Sequence, residues 1–185
     1  MSMIARRTLL LACMAPMLGA PAVGHTQTLP SELTQALPGA GLLGQMRFRY
    51  WGFDVYDASL WALPGFGAAA FDAHPVALEL RYLRDFDLAD IVDRSLKEMR
   101  RLATPSAEQE QRWRAEIQRV LSSVKKGDRL LGLHRPGQGA TFWLNGQARG
   151  DIRDAEFARL FFGIWLSPRT SEPALRQALL GKAAP

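Results

Sequence analysis

Apolar and polar positions alternate first with a period of two, then at helical spacing, then with two again, and finish at helical spacing. Gln45 to Tyr50 and Phe53 to Trp61 alternate on either side of Gly52, which predicts a strand pair or one strand carrying a bulge. Leu63-Pro64-Gly65-Phe66-Gly67 is a breaker-rich loop. Val76 to Leu83 alternates again, with Val76, Leu78, Leu80 and Tyr82 on one side and Ala77, Glu79, Arg81 and Leu83 on the other. The second side mixes charge with apolar residues, as an edge or a ligand-facing surface would.

Leu88, Ile91, Val92, Leu96, Met99 and Leu102 then fall on one helical stripe. Asp87 stands at its N-cap position, Arg100 and Arg101 suit the C-terminal dipole, and Thr104-Pro105 ends it. Ser106 and Gln109 form a capping box ahead of a second helix that buries Trp113, Ile117, Val120, Leu121 and Val124. Lys126-Gly127-Asp128 is a turn, Arg129 to His134 a strand, and Ala140 to Leu144 pairs back before Asn145-Gly146, a type I′ turn signal. A helix capped by Asp154 buries Phe157, Leu160, Phe161, Ile164 and Trp165, and Ser171 to Leu180 forms a last helix stopped at Gly181. Strands, two helices, a hairpin and two helices make the class α+β, an antiparallel sheet covered by a layer of helices.

The N-terminus reads differently. Arg6 and Arg7 with no acid, an apolar run from Thr8 to Leu18 and small residues at Ala20-Pro21-Ala22 predict a secretory signal peptide over residues 1–22, cleaved near Ala22, and hence a periplasmic protein. Arg6-Arg7 followed by Thr8-Leu9-Leu10 loosely resembles a twin-arginine signal. Leu10 to Cys13 looks like a lipoprotein box, but the apolar run ahead of Cys13 falls short of the ~7 residues of an h-region. Residues 23–40 then form a polar N-terminal segment and 41–182 a single domain. Cys13 is the only cysteine, so the mature chain is expected to carry no thiol, disulfide or thiolate metal site. No other apolar run reaches the length of a membrane span.

The precursor's net charge of +5 drops to 21 basic against 18 acidic residues once Arg6 and Arg7 are gone. Arg112, Arg114 and Arg119 are interleaved with Glu108, Glu110 and Glu116, a solvated helix face rather than a nucleic-acid footprint. Asp85, Asp87, Asp90 and Asp93 lack the oxygen-rich loop a metal needs, so neither metal nor cofactor is expected. His74 and His134 lie in different segments with no carboxylate or serine pattern around them. Arginines on strands stand out instead. Arg47 and Arg49 share a face with Trp51 by alternation, and Arg81 lies on the mixed side of its strand. An arginine among aromatic rings can hold a carboxylate or phenolate with paired N–H donors. It can equally snorkel outward over a sheet edge.

The ordered set Val55 to Trp61, Glu79-Leu80-Arg81-Tyr82, Ser95 to Met99, Lys126-Gly127-Asp128, Asn145-Gly146 and Phe161 to Pro168 resembles the exported bacterial branch of the chalcone isomerase-like family. The resemblance implies an open-faced β-sandwich with a ligand cleft between sheet and helices. It also brings two precedents, plant enzymes that cyclise chalcones and relatives that bind fatty acids without catalysis. The enzymes' Phe-Thr-Ala-Ile-Gly-Val-Tyr looks like Tyr50 to Tyr56, which sets Trp51 where the catalytic threonine stands. Their tyrosine and asparagine fall near Asp87 and Arg94, and a late threonine near Arg159. A tryptophan cannot polarise a carbonyl as a hydroxyl does, so chalcone cyclisation is not expected. What the resemblance leaves is Arg47, or Arg49 after a slip of two, with Tyr56, Arg81 and Arg94 around a small amphipathic or apolar ligand. Three readings stay open: a binder of an amphipathic acid such as a fatty acid, an isomerase or lyase on another substrate, and a structural envelope protein.

Overall fold

The structure, a computed structural model, describes residues 29–181; the expected signal peptide lies outside them. The strands β1 (Gly41–Tyr50), β2 (Phe53–Ala62), β3 (Val76–Tyr82), β4 (Arg129–Arg135), β5 (Gly139–Leu144) and β6 (Gln147–Ile152) form one six-stranded sheet in chain order, each neighbour antiparallel. Between the first and second hairpins run α2 (Leu88–Leu102) and α3 (Ala107–Val120), and after the sheet α4 (Ala155–Leu166) and α5 (Pro173–Leu180). No described helix is long and apolar enough to cross a membrane.

Register sorts the side chains into two faces. Ala58, Leu80, Leu130 and Leu144 lie opposite one another across four strands, as do Ser59, Glu79, Leu131 and Trp143 one position on. The first row meets the helices. There Val92, Leu96 and Met99 of α2, Trp113 and Ile117 of α3, Phe157 and Phe162 of α4 and Leu179 of α5 are buried in one core. The second row faces outward, where α1 (Ser31–Ala36) and the residue after it bring Leu33 and Leu37 onto Trp61, Ala77, Leu131 and Leu133. The mixed side of β3 is this outer face. Since β3 is an interior strand, the reading of that side as an edge is corrected, and Arg81 is exposed on it. Glu79 is buried there because Arg129 of β4 donates to it at 3.1 Å and to Glu32 of α1 at 2.5 Å.

Helix ends follow the sequence in part: α3 stops at Val120, short of the expected Leu121 and Val124, because Val124 pairs with Phe86 in a β-bridge, and α5 starts at Pro173 rather than Ser171. Ser106 and Gln109 close their capping box, and Gly181 stops α5 with φ +51. Asp154 accepts from the Phe157 N–H at 2.9 Å and, with its other oxygen, from Trp113 Nε1 at 2.8 Å, so one carboxylate caps α4 and ties it to α3. Asp87 precedes α2 but its side chain caps nothing; Ser123 Oγ, from the far end of the helical hairpin, accepts from the Leu88 N–H at 3.0 Å. Gly44 lets α5 rest on β1, since a Cβ there would lie 2.1 Å from the Ala178 carbonyl oxygen.

Asp154→Ala removes a cap and orphans the N–H of Trp113, which is buried. It should cost about 2–4 kcal/mol in urea unfolding, against about 1 for a cap alone. A second expectation concerns pH. Burial opposes ionisation of Glu32, but a backbone N–H and the Arg129 guanidinium outweigh it and hold the carboxyl below its usual range. Its stabilisation is therefore present above the unfolded-state value and lost as pH falls through the folded one. Glu32→Gln should flatten the loss of stability that the wild type shows below about pH 5.

Candidate functional site

Between the helices and the sheet lies a cleft of about 510 Å³. Its floor is Leu80, Leu130, Phe161 and Trp165, all buried. Along one wall Phe48 stacks on Tyr56 with centroids 5.1 Å apart, Tyr56 meets Tyr82 edge-on at 6.1 Å, and Tyr82 meets Phe86 at 5.7 Å. Ile91, Arg94, Ser95 and Glu98 of α2, Ile164 of α4 and Leu175 of α5 form the other side. The mouth is marked by lining residues that are also exposed: Tyr50, Trp51 and Phe53.

Two backbone features aim these rings. Tyr56 pairs with Phe48 and Asp54 with Arg49, so Val55 is an extra residue in β2, a bulge that resets the alternation. Trp51 and Gly52 then form a two-residue turn with φ +50 and +81, matching the +51 and +82 of Asn145-Gly146. Asparagine and glycine accept such angles readily; a bulky residue does so at a cost of order 1–3 kcal/mol.

Of the residues predicted from sequence, Tyr56, Arg94 and Trp51 line the cleft. Arg47, Arg49 and Arg81 do not, and their expected place among the ligand contacts is corrected. Arg47 sits opposite Asp57 on the outer face and donates Nε and Nη2 to its two oxygens at 2.7 and 3.0 Å. Asp54 accepts from Arg49 Nε at 2.6 Å and Arg47 Nη1 at 3.2 Å. The four charges neutralise one another on the solvated side of the hairpin. Of the positions set against the enzymes' catalytic residues, Asp87 and Arg159 are exposed outside the cleft, while Trp51, at a turn, and Arg94 line it.

The cleft is mostly apolar, and its charged lining groups are Arg84, Asp90, Arg94, Glu98 and Glu172. Trp165 Nε1 donates to the Tyr56 hydroxyl at 3.0 Å. An indole N–H can only donate, so the Tyr56 oxygen accepts and its own proton is left over, with no acceptor among the described residues. Burial pushes the Tyr56 pKa upward, so the group keeps that proton at physiological pH. Glu98, buried, is held by Arg94 at 3.1 Å, Arg101 at 3.5 Å and the Ser171 hydroxyl at 2.9 Å. Nη2 of Arg94 makes the Glu98 contact, and the guanidinium lies over Tyr50, 5.3 Å from the ring centroid. Sequence reading missed Glu98, Ser171 and Arg84. Arg84 lies over both Phe53 and Phe86, at 5.5 and 5.8 Å, and its one sequence signal is its place just past a strand end beside an aromatic residue. No group of metal-ligating side chains occurs among the described residues.

An uncharacterised protein of Haemophilus influenzae is 26% identical to this chain over 140 residues, which make up 76% of this chain and 67% of that protein. A fatty-acid binding protein of Arabidopsis thaliana has the same fold, with a TM-score of 0.57 over 89% of this chain and 92% of the other, at 12% identity. The family profile described as chalcone isomerase-like matches residues 28–181, the whole of the sheet, its helices and the cleft between them. The chain belongs to the chalcone isomerase-like family.

Proposed function

We propose that the protein is a non-catalytic binder of an amphipathic carboxylic acid, such as a long-chain fatty acid, exported to the periplasm. The observation that carries this reading is the Tyr56–Trp165 contact, which leaves a neutral, tightly held proton with no protein acceptor among the described residues in a mostly apolar cleft. Such a proton is a hydrogen-bond donor rather than a general base. Arg94 adds a permanent cation on the same cleft, where the Glu172 carboxylate also lies. Glu98 keeps two other donors, Arg101 and Ser171, so a ligand carboxylate can share Arg94 without stranding a buried charge. The rest of the lining supplies burial for methylene groups, at about 0.8 kcal/mol each. The Arabidopsis protein of the same fold is a fatty-acid binding protein, which supports the same ligand class. Export rests on the basic, apolar and small-residue pattern of residues 1–22.

Calorimetric titration with palmitic acid and its methyl ester tests the binding reading. The acid should bind the wild type more tightly than the ester, and Arg94→Ala should weaken the acid by about ten- to a hundredfold, the worth of one charge-assisted hydrogen bond. Arg47→Ala, altered on the outer face, should leave the affinity unchanged. Equal binding of acid and ester removes the carboxylate clamp, and no binding of either removes the proposal. Export is checked separately: the chain recovered from the periplasm should have the mass of a protein beginning near Val23.

A further inference from the structure

Among the described residues the exposed large apolar side chains are Leu42, Met46, Tyr50, Trp51 and Phe53, all on the β1–β2 hairpin. The last three form its tip, where Trp51 is 86% and Phe53 63% exposed. Trp51 is there neither for the turn, which Asn145-Gly146 makes with the same angles and a suitable residue, nor for the core. A bulky ring held in a strained turn and left in water is explained when something outside the chain covers it.

The surroundings favour one occupant. Tyr50 lies under the Arg94 guanidinium and Phe53 under that of Arg84. Arg84 makes no ion pair among the described residues, so one cation beside the apolar tip is left un-neutralised. Indole, phenol and phenyl rings settle at the level of lipid head groups, and arginine beside them reaches the phosphates. A second copy of this chain fits poorly. Three aromatic side chains cover about 150–250 Å² each when fully buried, and these are partly covered already, short of the ~800 Å² per partner of a stable dimer.

We propose that the tip of the β1–β2 hairpin docks the protein on a phospholipid bilayer, with the cleft mouth facing the lipid. Resting on the binder reading, this deepens it: an acid with a long acyl chain resides in bilayers rather than in water, and a mouth opening onto lipid would take it up without exposing its chain.

Vesicle flotation of the wild type tests the docking without added fatty acid, and the titration above tests binding without vesicles, so either can fail alone. Vesicles of phosphatidylcholine, with and without phosphatidylglycerol and carrying brominated acyl chains, report both partition and depth. The wild type should float, and bromine should quench its tryptophan emission through Trp51, since Trp61, Trp113 and Trp165 are buried and Trp143 half-buried. Trp51→Asn restores a favoured turn residue and so keeps the fold; it should reduce partition by about tenfold and remove most of the quenching. Arg84→Gln should weaken partition more on the phosphatidylglycerol vesicles than on phosphatidylcholine alone. Failure of the wild type to float on either vesicle, or flotation of Trp51→Asn equal to it, overturns the proposal. So does a concentration-dependent dimer of the wild type that Trp51→Asn abolishes, which would assign the tip to a second copy.

Discussion

Between Phe48 and Arg49 the first hairpin slips its register, and Val55 has no partner on β1. A strand has a side-chain period of two, so one unpaired residue exchanges the faces of everything beyond it. Without that slip Phe53 would turn outward and Asp54 would enter the cleft. With it, Phe48, Tyr50, Phe53 and Tyr56 gather on the helix side, while Arg47, Arg49, Asp54 and Asp57 form a neutral ladder outside. The apolar wall that the hairpin gives the cleft, the inward place of Tyr56 and the aromatic tip all depend on this bulge.

The remainder of the molecule fixes that hairpin in place. On the helix side, α5 reaches β1 only because Gly44 lacks a side chain, and Leu175 of the same helix lines the cleft. On the outer side, Arg129 draws Glu32 and Glu79 together and pins α1 over Trp61, so the sheet is packed on both faces at one end. Toward the β1–β2 turn the cleft opens between sheet and helices, and the outer face is ionic. Close packing at one end and an unfilled apolar space at the other are what a binding protein requires: a rigid frame, and surface left for a ligand to cover.

The long amphipathic helices were legible because apolar spacing, the Ser106–Gln109 box and the Asp154 cap all agreed, and Asn145-Gly146 marked its hairpin. The six residues of α1 are too few to show a period, and the cap of α2 comes from Ser123, a tertiary contact that spacing cannot reveal. Alternation placed Arg47 and Arg49 on one face but wrongly set Trp51 with them, since Trp51 falls in the turn and lines the cleft, and it cannot say which face is inside. Arg94 was legible only through the family resemblance. The Tyr56–Trp165 contact joins residues 109 apart in sequence, and neither position alone hints that the tyrosine's proton is left unused.

The central claim is that ligand enters between sheet and helices while the arginine ladder stays outside. Heteronuclear NMR of the protein titrated with palmitic acid tests it directly. The account predicts the largest shifts at Tyr56, Ile91, Arg94, Ile164 and Leu175, with the side-chain signals of Arg47 and Arg49 unmoved. Shifts centred on Arg47, Arg49, Asp54 and Asp57, with the cleft residues silent, would contradict it.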